Sequence, residues 1–421
     1  MRFSTLAQWL AWQEGLHSRA IDLGLDRVRT VLARLHPQPP ASPVITVGGT
    51  NGKGSCVAML EAIYRAAGYR VGSYTSPHLL RYNERIRIDG QEIGDDALMA
   101  AFARVDDARG EVSLTYFEFG TLAALVLFGE VDPDIVVLEV GLGGRLDAVN
   151  VVDADVAVIT SIGLDHCDWL GNDLESIGRE KAGIARAGRP LVCGEAAPPL
   201  SIGETARHIG AKVYWFGRDF GYETADGQWR WWGQHRTRHA LPLPALRGAN
   251  QLRNGAAALM AIELMSPRLP VAVADVRAGL ADSVLSGRFQ VLPGKVPVIV
   301  DVAHNPQAAM ALAQNLAATA TPGRTLAIVA MMADKDIAGT LSPLLSEVDQ
   351  WRVTTVAAPR AAGATLLAEV LRGLGRQMTV FESVAEALDV AYRDAGDHDR
   401  IVVFGSFYTV ADALRAYNAG H

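Results

Sequence analysis

The chain has 421 residues, of which 49% are hydrophobic and 20% charged, and its formal net charge is −7. That is a globular balance with ample length to bury a core, and the length suggests two or three domains. An acidic chain excludes an overall basic field for nucleic acid or anionic membrane, so neither is expected as a partner and any nucleotide should be a small molecule held locally.

The three cysteines, Cys56, Cys167 and Cys193, are odd in number and widely spaced. That opposes a disulfide framework or a zinc cluster and points to a reducing, cytoplasmic compartment. The opening Met1-Arg2-Phe3-Ser4-Thr5 lacks the apolar run of a signal peptide. Runs such as Leu122 to Phe128 are too short to span a bilayer.

In chain order, Leu6, Trp9 and Leu10 give residues 4–16 a helical spacing. The Pro-rich stretch His36-Pro37-Gln38-Pro39-Pro40 separates this opening helix from the first strand. That strand is Val44-Ile45-Thr46-Val47, which reads as buried, and Ser55 to Ala67 reads as a helix. Further buried strands are expected at Asp134 to Val140, Val156 to Ile162 and Pro190 to Cys193. Apolar strands alternating with helices predict an α/β fold with a mostly parallel sheet covered on both faces. Residues 212–243, with Trp215, Trp229, Trp231 and Trp232 among polar residues, read as antiparallel ribbons with the tryptophans as packing. The pattern restarts around Ser286 to Pro297. Strands are expected at Val298 to Val300, Leu326 to Ala330, Val353 to Val356 and Ile401 to Phe404. This is a second, smaller α/β unit of ~130 residues. Two such units with one phosphate loop suggest an active site in the cleft between domains.

Between the first strand and its helix lies Gly49-Thr50-Asn51-Gly52-Lys53-Gly54-Ser55. Strand, Gly-rich loop and helix turn backbone N–H groups and a helix N-terminus toward an anion. The general phosphate-loop pattern fails at both ends, at Val47 and at Gly54. The physical logic survives: glycines admit close approach of phosphate oxygens, and Lys53 supplies a point charge. Thr50, Asn51, Gly52, Lys53, Gly54 and Ser55 are therefore the candidate nucleotide contacts.

Glu139 closes an apolar strand, where phosphate-loop enzymes place a carboxylate for Mg²⁺, and Gly141 to Arg145 leave open backbone beside it. By spacing alone His166 reads as a structural or exposed histidine, and Lys181 as part of a solvated charge run. Asp301-Val302-Ala303-His304-Asn305-Pro306 and Gly405-Ser406-Phe407 follow strands of the second unit, at the ends where α/β sheets bind ligands.

These motifs together resemble the folylpolyglutamate synthase and dihydrofolate synthase family within the wider Mur ligase group. The shared stretches run almost end to end. They include Leu16-His17-Ser18, Gly49 to Ser55, Ser76-Pro77-His78-Leu79, Arg81 to Arg85, Leu114-Thr115-Tyr116-Phe117-Glu118 and Glu139 to Ala148. They continue through Leu164-Asp165-His166, Glu180-Lys181-Ala182-Gly183, Gly287-Arg288-Phe289, Asp301 to Pro306 and Gly405-Ser406-Phe407. The resemblance implies an N-terminal Mur-type ATP-binding domain over 1–290 and a Rossmann-like glutamate-ligase domain over 291–421. It implies ATP and two Mg²⁺ sites, with Ser76 and Glu139 on one, Glu139 and His166 on the second, and Lys181 carbamylated, an anion that can then ligate metal. It further implies ATP contacts from Asn254 (or the neighbouring Asn250), Arg288 and Asp301, with His304 near the phosphates or the incoming amino acid. His17, Thr115, Tyr116, Phe117, Glu118, Leu146, Asp147, Ala148 and Ser406 fall to the substrates. Val149 stands where the family usually has Thr.

The implied reaction adds L-glutamate to dihydropteroate and to reduced folates, or to reduced folates alone, through an acyl phosphate made with ATP, in a monomer. Domain closure is expected to keep water from that intermediate. Three rivals share part of the pattern. A peptidoglycan-precursor ligase would carry a UDP-sugar domain ahead of the loop, where this sequence has only 48 residues before Gly49. A kinase or hydrolase would not need glutamate, and a sensing protein would not need intact Lys53, Ser76, Glu139, His166 and Lys181.

Overall fold

The computed structural model describes residues 2–35, 41–225 and 227–420, and the Pro-rich stretch at 36–40 lies outside them. The chain divides into two compact units, one of residues 1–245 and 252–284, the other of 246–251 and 285–421. Among the described residues no helix is long and apolar enough to cross a membrane.

The first unit is built on an eight-stranded sheet of order β4-β3-β2-β5-β1-β6-β7-β8. Its strands are β1 (Val44–Gly48), β2 (Val71–Tyr74), β3 (Ile86–Ile88), β4 (Gln91–Glu92), β5 (Ile135–Glu139), β6 (Val156–Ile159), β7 (Pro190–Cys193) and β8 (Lys212–Trp215). Strands β2, β5, β1, β6, β7 and β8 run parallel, while β3 and β4 add an antiparallel edge. Every residue of β1 and β5 is buried, as expected of central strands covered on both faces. The chain leaves β1 toward β2 on one side, then crosses back from β5 to β6 on the other. That reversal opens a crevice at the carboxyl ends of β1, β5 and β6, where ligands enter such sheets.

The helices obey the sequence closely. Helix Leu6–Glu14 starts at Thr5, whose side chain accepts from Gln8 N, and buries Trp9 completely. Helix Tyr116–Val131 begins with a capping box: Thr115 Oγ1 accepts from Glu118 N, and Glu118 Oε2 accepts from Thr115 N. That cap satisfies two amides the helix itself cannot. Its body is buried from Glu118 to Phe128, so it is apolar on every side. Helix Lys53–Ala66 packs against helix Val273–Asp282, where a Cβ on Gly279 would meet Ile63 Cα at 2.4 Å.

A three-stranded antiparallel sheet, β9 (Gly221–Ala225), β10 (Gln228–Trp232) and β11 (Thr237–Pro242), completes the unit. The ribbon expectation holds there, with Trp229 and Trp231 buried and their indole N–H groups donating to Pro242 O and Ala256 O. It fails for Lys212–Trp215, which pairs in parallel with β7 at the edge of the large sheet. Its aromatics are only half-buried, and that mixed exposure imitates a ribbon.

The second unit holds a six-stranded sheet of order β12-β13-β17-β14-β15-β16. Its strands are β12 (Gln290–Leu292), β13 (Val298–Asp301), β14 (Thr325–Val329), β15 (Gln350–Val353), β16 (Met378–Val380) and β17 (Arg400–Phe404). All but edge strand β12 are parallel. The strand expected at Val353 to Val356 lies earlier, at Gln350–Val353. Arg352 hides it: this buried strand residue pairs its guanidinium with Asp394 at 2.8 Å instead of reading as apolar.

Candidate active site

Tight backbone approach shapes the phosphate loop. Gly49 has φ 144° and a Cβ there would stand 2.0 Å from Thr160 Oγ1. Gly52, at φ 86°, is the left-handed residue that opens helix Lys53–Ala66, and a Cβ there would strike Asn254 Oδ1 at 2.5 Å. Only glycine fits either position. Asn254 therefore lies against the loop.

The residues after β6 hold the loop from beneath. Thr50 N donates to Ser161 O at 2.8 Å, and Thr50 Oγ1 to Gly163 O at 3.0 Å. Thr160 Oγ1 donates to Asn51 O at 2.7 Å, and Asn51 N donates to Ser161 Oγ at 3.0 Å. By pattern alone Thr160 and Ser161 belong to the strand expected at Val156 to Ile162. The available signal was two adjacent hydroxyl side chains ending an otherwise apolar run.

Two lysines converge on one carbonyl. Lys53 Nζ donates to Gly49 O at 3.1 Å and Thr50 O at 3.1 Å, and Lys181 Nζ donates to Gly49 O at 3.0 Å. Lys181 is 4% exposed. Burial, reinforced by the Lys53 charge, brings its pKa down to about 7, against the pull of Asp165 and Asp147. The solvated charge run that spacing suggested is thus a buried amine. What puts it there is the turn after β5: a Cβ on Gly144 would meet Glu180 O at 2.8 Å and Lys181 O at 3.0 Å. Arg145 N donates to Glu180 O at 2.9 Å, and Arg145 pairs with the Glu180 carboxylate at 2.8 Å.

Carboxylates surround this pair. Glu139 is buried at the end of β5, and its Oε2 accepts from Ser76 N at 3.0 Å. The two residues expected to share a metal are therefore adjacent, and hydroxyl and carboxylate oxygens suit a hard divalent cation. Ser55 is buried at the first turn of the loop helix. Asp147 accepts from Leu142 N at 2.8 Å and from Val149 N at 3.0 Å. Burial raises its pKa to about 7, although these amides and Lys53 pull the other way. Val149 uses only its backbone N–H here, so its difference from Thr leaves this cap intact. Leu146 and Ala148 flank Asp147, with Ala148 opening a short 3-10 turn. His166 is exposed at φ 52°, heading the four-residue helix Cys167–Leu170. Among the described residues no three His, Cys, Asp or Glu side chains gather as a chelating set. Mg²⁺ sites completed by water and phosphate need none.

The other expected substrate residues form two groups. His17 joins Ser113 Oγ at 2.9 Å and Asp22 Oδ2 at 3.2 Å, Asp22 pairs with Arg27 at 2.6 Å, and Arg27 with Glu118 at 3.0 Å. His17, Glu118 and Thr115 are thereby linked in one polar chain. Aromatic faces form the second group. Phe117 stacks near Tyr74 at 5.9 Å and lies under Gly141, where a Cβ would meet its ring at 2.6 Å. Arg85 stands over Tyr82 at 5.1 Å and Tyr116 at 5.5 Å, held by His78 Nδ1 at 2.9 Å from its Nε.

In the second unit, Asp301 ends β13 and accepts from Phe289 N and Ala303 N, both at 2.8 Å. Its enclosure raises its pKa, opposed first by Arg288. Gly287 and Phe289 take φ 72° and 43°, a turn that presents Arg288 over the Phe407 ring at 5.0 Å. His304 lies 6.3 Å from the same ring, and its Nδ1 meets Val302 O at 2.8 Å. Ser406 is engaged structurally: its Oγ accepts from Thr409 N at 3.0 Å and meets Thr409 Oγ1 at 2.7 Å. Gly405, at φ 114°, is required because a Cβ would meet Ala330 O at 2.5 Å.

A parallel sheet with a phosphate loop, followed by a second parallel sheet, defines a class. Residues 47–193 match the Mur ligase middle domain, and residues 287–407 match the Mur ligase glutamate ligase domain. The dihydrofolate synthase/folylpolyglutamate synthase of Escherichia coli is 50% identical over 99% of this chain and 96% of its own length. That of Haemophilus influenzae is 41% identical, covering 97% of each. Among solved structures, E. coli FolC in complex with DHPP and ADP superposes with a TM-score of 0.94 at 49% identity, over 99% of this chain and 98% of that one. A bifunctional folylpolyglutamate synthase/dihydrofolate synthase with Mn, AMPPNP and L-glutamate bound gives 0.92 at 47% identity, with the same coverage. The chain belongs to the dihydrofolate synthase/folylpolyglutamate synthase family of Mur ligases, and it is an ATP-dependent ligase.

Proposed function

We propose that this ligase joins L-glutamate to dihydropteroate and to reduced folates. The observation that carries the reading is the meeting of Lys53 and Lys181 on the Gly49 carbonyl, beside buried Glu139 and its half-buried partner Ser76. That arrangement suits phosphoryl transfer, where positioning and charge neutralisation do most of the work.

The acceptor's carboxylate attacks the γ-phosphate of ATP, giving an acyl phosphate and ADP. The glutamate amine then attacks the activated carbonyl, and inorganic phosphate leaves with one oxygen of the original carboxylate. Lys53 neutralises charge on the phosphates, and the first-turn amides of helix Lys53–Ala66 face them. Glu139 with Ser76, and Glu139 with His166, would hold two Mg²⁺ ions, which when bound supply Lewis-acid charge to the phosphate oxygens. Lys181 reacts as the neutral amine with CO₂, forming a carbamate and releasing a proton. Its low pKa supports this, since an amine neutral near pH 7 is the reactive form. Asn254, Arg288 and Asp301 contact ATP, and His304 serves the phosphates or the incoming amine. Tyr116 and Phe117 offer ring faces to a flat pterin. His17, Thr115, Glu118 and Ser406 act by positioning, because their polar atoms are engaged within the chain. Asp147 and its neighbours Leu146 and Ala148 complete the acceptor's surroundings. The enzyme works as a cytoplasmic monomer.

The test is oxygen transfer. An acceptor labelled with ¹⁸O in its reacting carboxylate should deliver one label to inorganic phosphate, read by mass spectrometry. Unlabelled phosphate alongside amide product would exclude the acyl phosphate.

A further inference from the structure

Apart from the loop and its neighbours, the first unit contains a cavity of about 600 Å³ between β11 and the start of helix Val273–Asp282. Arg236, Arg238 and Arg277 line it, with His235 and His239. Four of these side chains are exposed, but Arg238 is only 6% exposed. One N–H of its Nη2 reaches Val271 O at 3.3 Å, while its buried Nε has no hydrogen-bond partner. A buried guanidinium in that condition is costly unless an acceptor reaches it.

Two acids lie nearby, and the charges of Glu263 and Asp275 both act on Arg238, two against the three arginines. Glu263 Oε1 accepts from His235 N at 2.9 Å, and Asp275 Oδ2 accepts from Ala272 N at 3.0 Å as part of a helix cap. Positive charge therefore exceeds negative around the cavity. The strand itself is bent to make the site: pairing between β10 and β11 shifts between Trp229 and Trp231, and Ala240 takes φ 52°. A left-handed alanine is strained, and a bulge of this kind re-aims neighbouring side chains.

We propose that this cavity binds a small polyanion bearing phosphoryl or multiple carboxylate groups. Guanidinium forks pair with such oxyanions in two-point fashion, and the anion offsets the positive charge that Arg236, Arg238 and Arg277 bring together there. The exposed Arg236 and Arg277 form the entrance, and Arg238 forms the floor.

The test uses the full-length protein carrying Lys53→Ala, which silences the phosphate loop. Inorganic pyrophosphate and tri-γ-L-glutamate are titrated separately by calorimetry at fixed ionic strength. The same titrations are repeated with Arg236→Ala/Arg277→Ala added, two exposed changes that leave the core untouched. Saturable binding that weakens about tenfold or more in that combination supports the site. Binding of one probe alone assigns its chemistry, phosphoryl or carboxylate, and binding of both assigns charge as the criterion. Binding of neither, or equal binding with and without the arginine changes, overturns the proposal.

Discussion

At the scale of single residues, Lys181 decides how the site behaves with pH. Burial and the neighbouring Lys53 lower its pKa from 10.5 to about 7. Between those values the folded protein binds fewer protons there than the unfolded chain, so this group's contribution to stability rises with pH. Below about 7 the penalty is fully present. Lys181→Met in CO₂-free buffer should therefore raise stability at pH 6 by on the order of 2–4 kcal/mol, with the gain fading toward pH 10. Denaturant unfolding at a series of pH values checks this, and a pH-independent difference would restore an ordinary lysine. In ¹³C-bicarbonate, the wild type should show a carbamate carbon signal that the Lys181→Met protein lacks. Asp147 carries a different load. Its carboxylate holds two backbone amides, so Asp147→Ala should cost about 1–3 kcal/mol through orphaned donors, read by chemical denaturation.

At the scale of elements, the strand–loop–helix unit was the most legible part of the site. Glycines at 49 and 52 announce backbone that other residues cannot adopt, and β1 reads as a β-branched run. Lys181 was illegible for a physical reason: its neighbours Arg179 and Glu180 are charged, and its burial comes from a distant turn closing on it. Gly144 is that turn's contact point. Gly144→Ala should push the Lys181 helix outward, lowering kcat about tenfold or more while costing only about 1–3 kcal/mol of stability. Parallel measurement of turnover and thermal unfolding separates the two effects. The capping box of helix Tyr116–Val131 makes a milder case: Thr115→Ala should cost about 1 kcal/mol, measurable by thermal melting. The Thr-x-x-Glu spacing of Thr115 and Glu118 is a capping-box signature, whereas the pairing of Glu118 with the distant Arg27 leaves no mark in the sequence.

At the scale of the whole molecule, alternation of apolar strands and helices was enough to expect two α/β units. Strands with polar or small residues escaped: Val71–Tyr74 contains Gly72 and Ser73, and Met378–Val380 is a short, mostly exposed edge. The cationic cavity beside β11 escaped as well, because a net charge of −7 averages away a local cluster. Folate glutamylation itself has a direct measurement: mass spectrometry of the products formed from ATP, Mg²⁺ and L-glutamate with dihydropteroate or tetrahydrofolate supplied separately. One glutamate should be added to dihydropteroate, and one or more to tetrahydrofolate, with ADP formed in step. Neither addition should survive in Lys53→Ala or Glu139→Ala. ADP release without any glutamate adduct, or near-normal ligation by either variant, would contradict it.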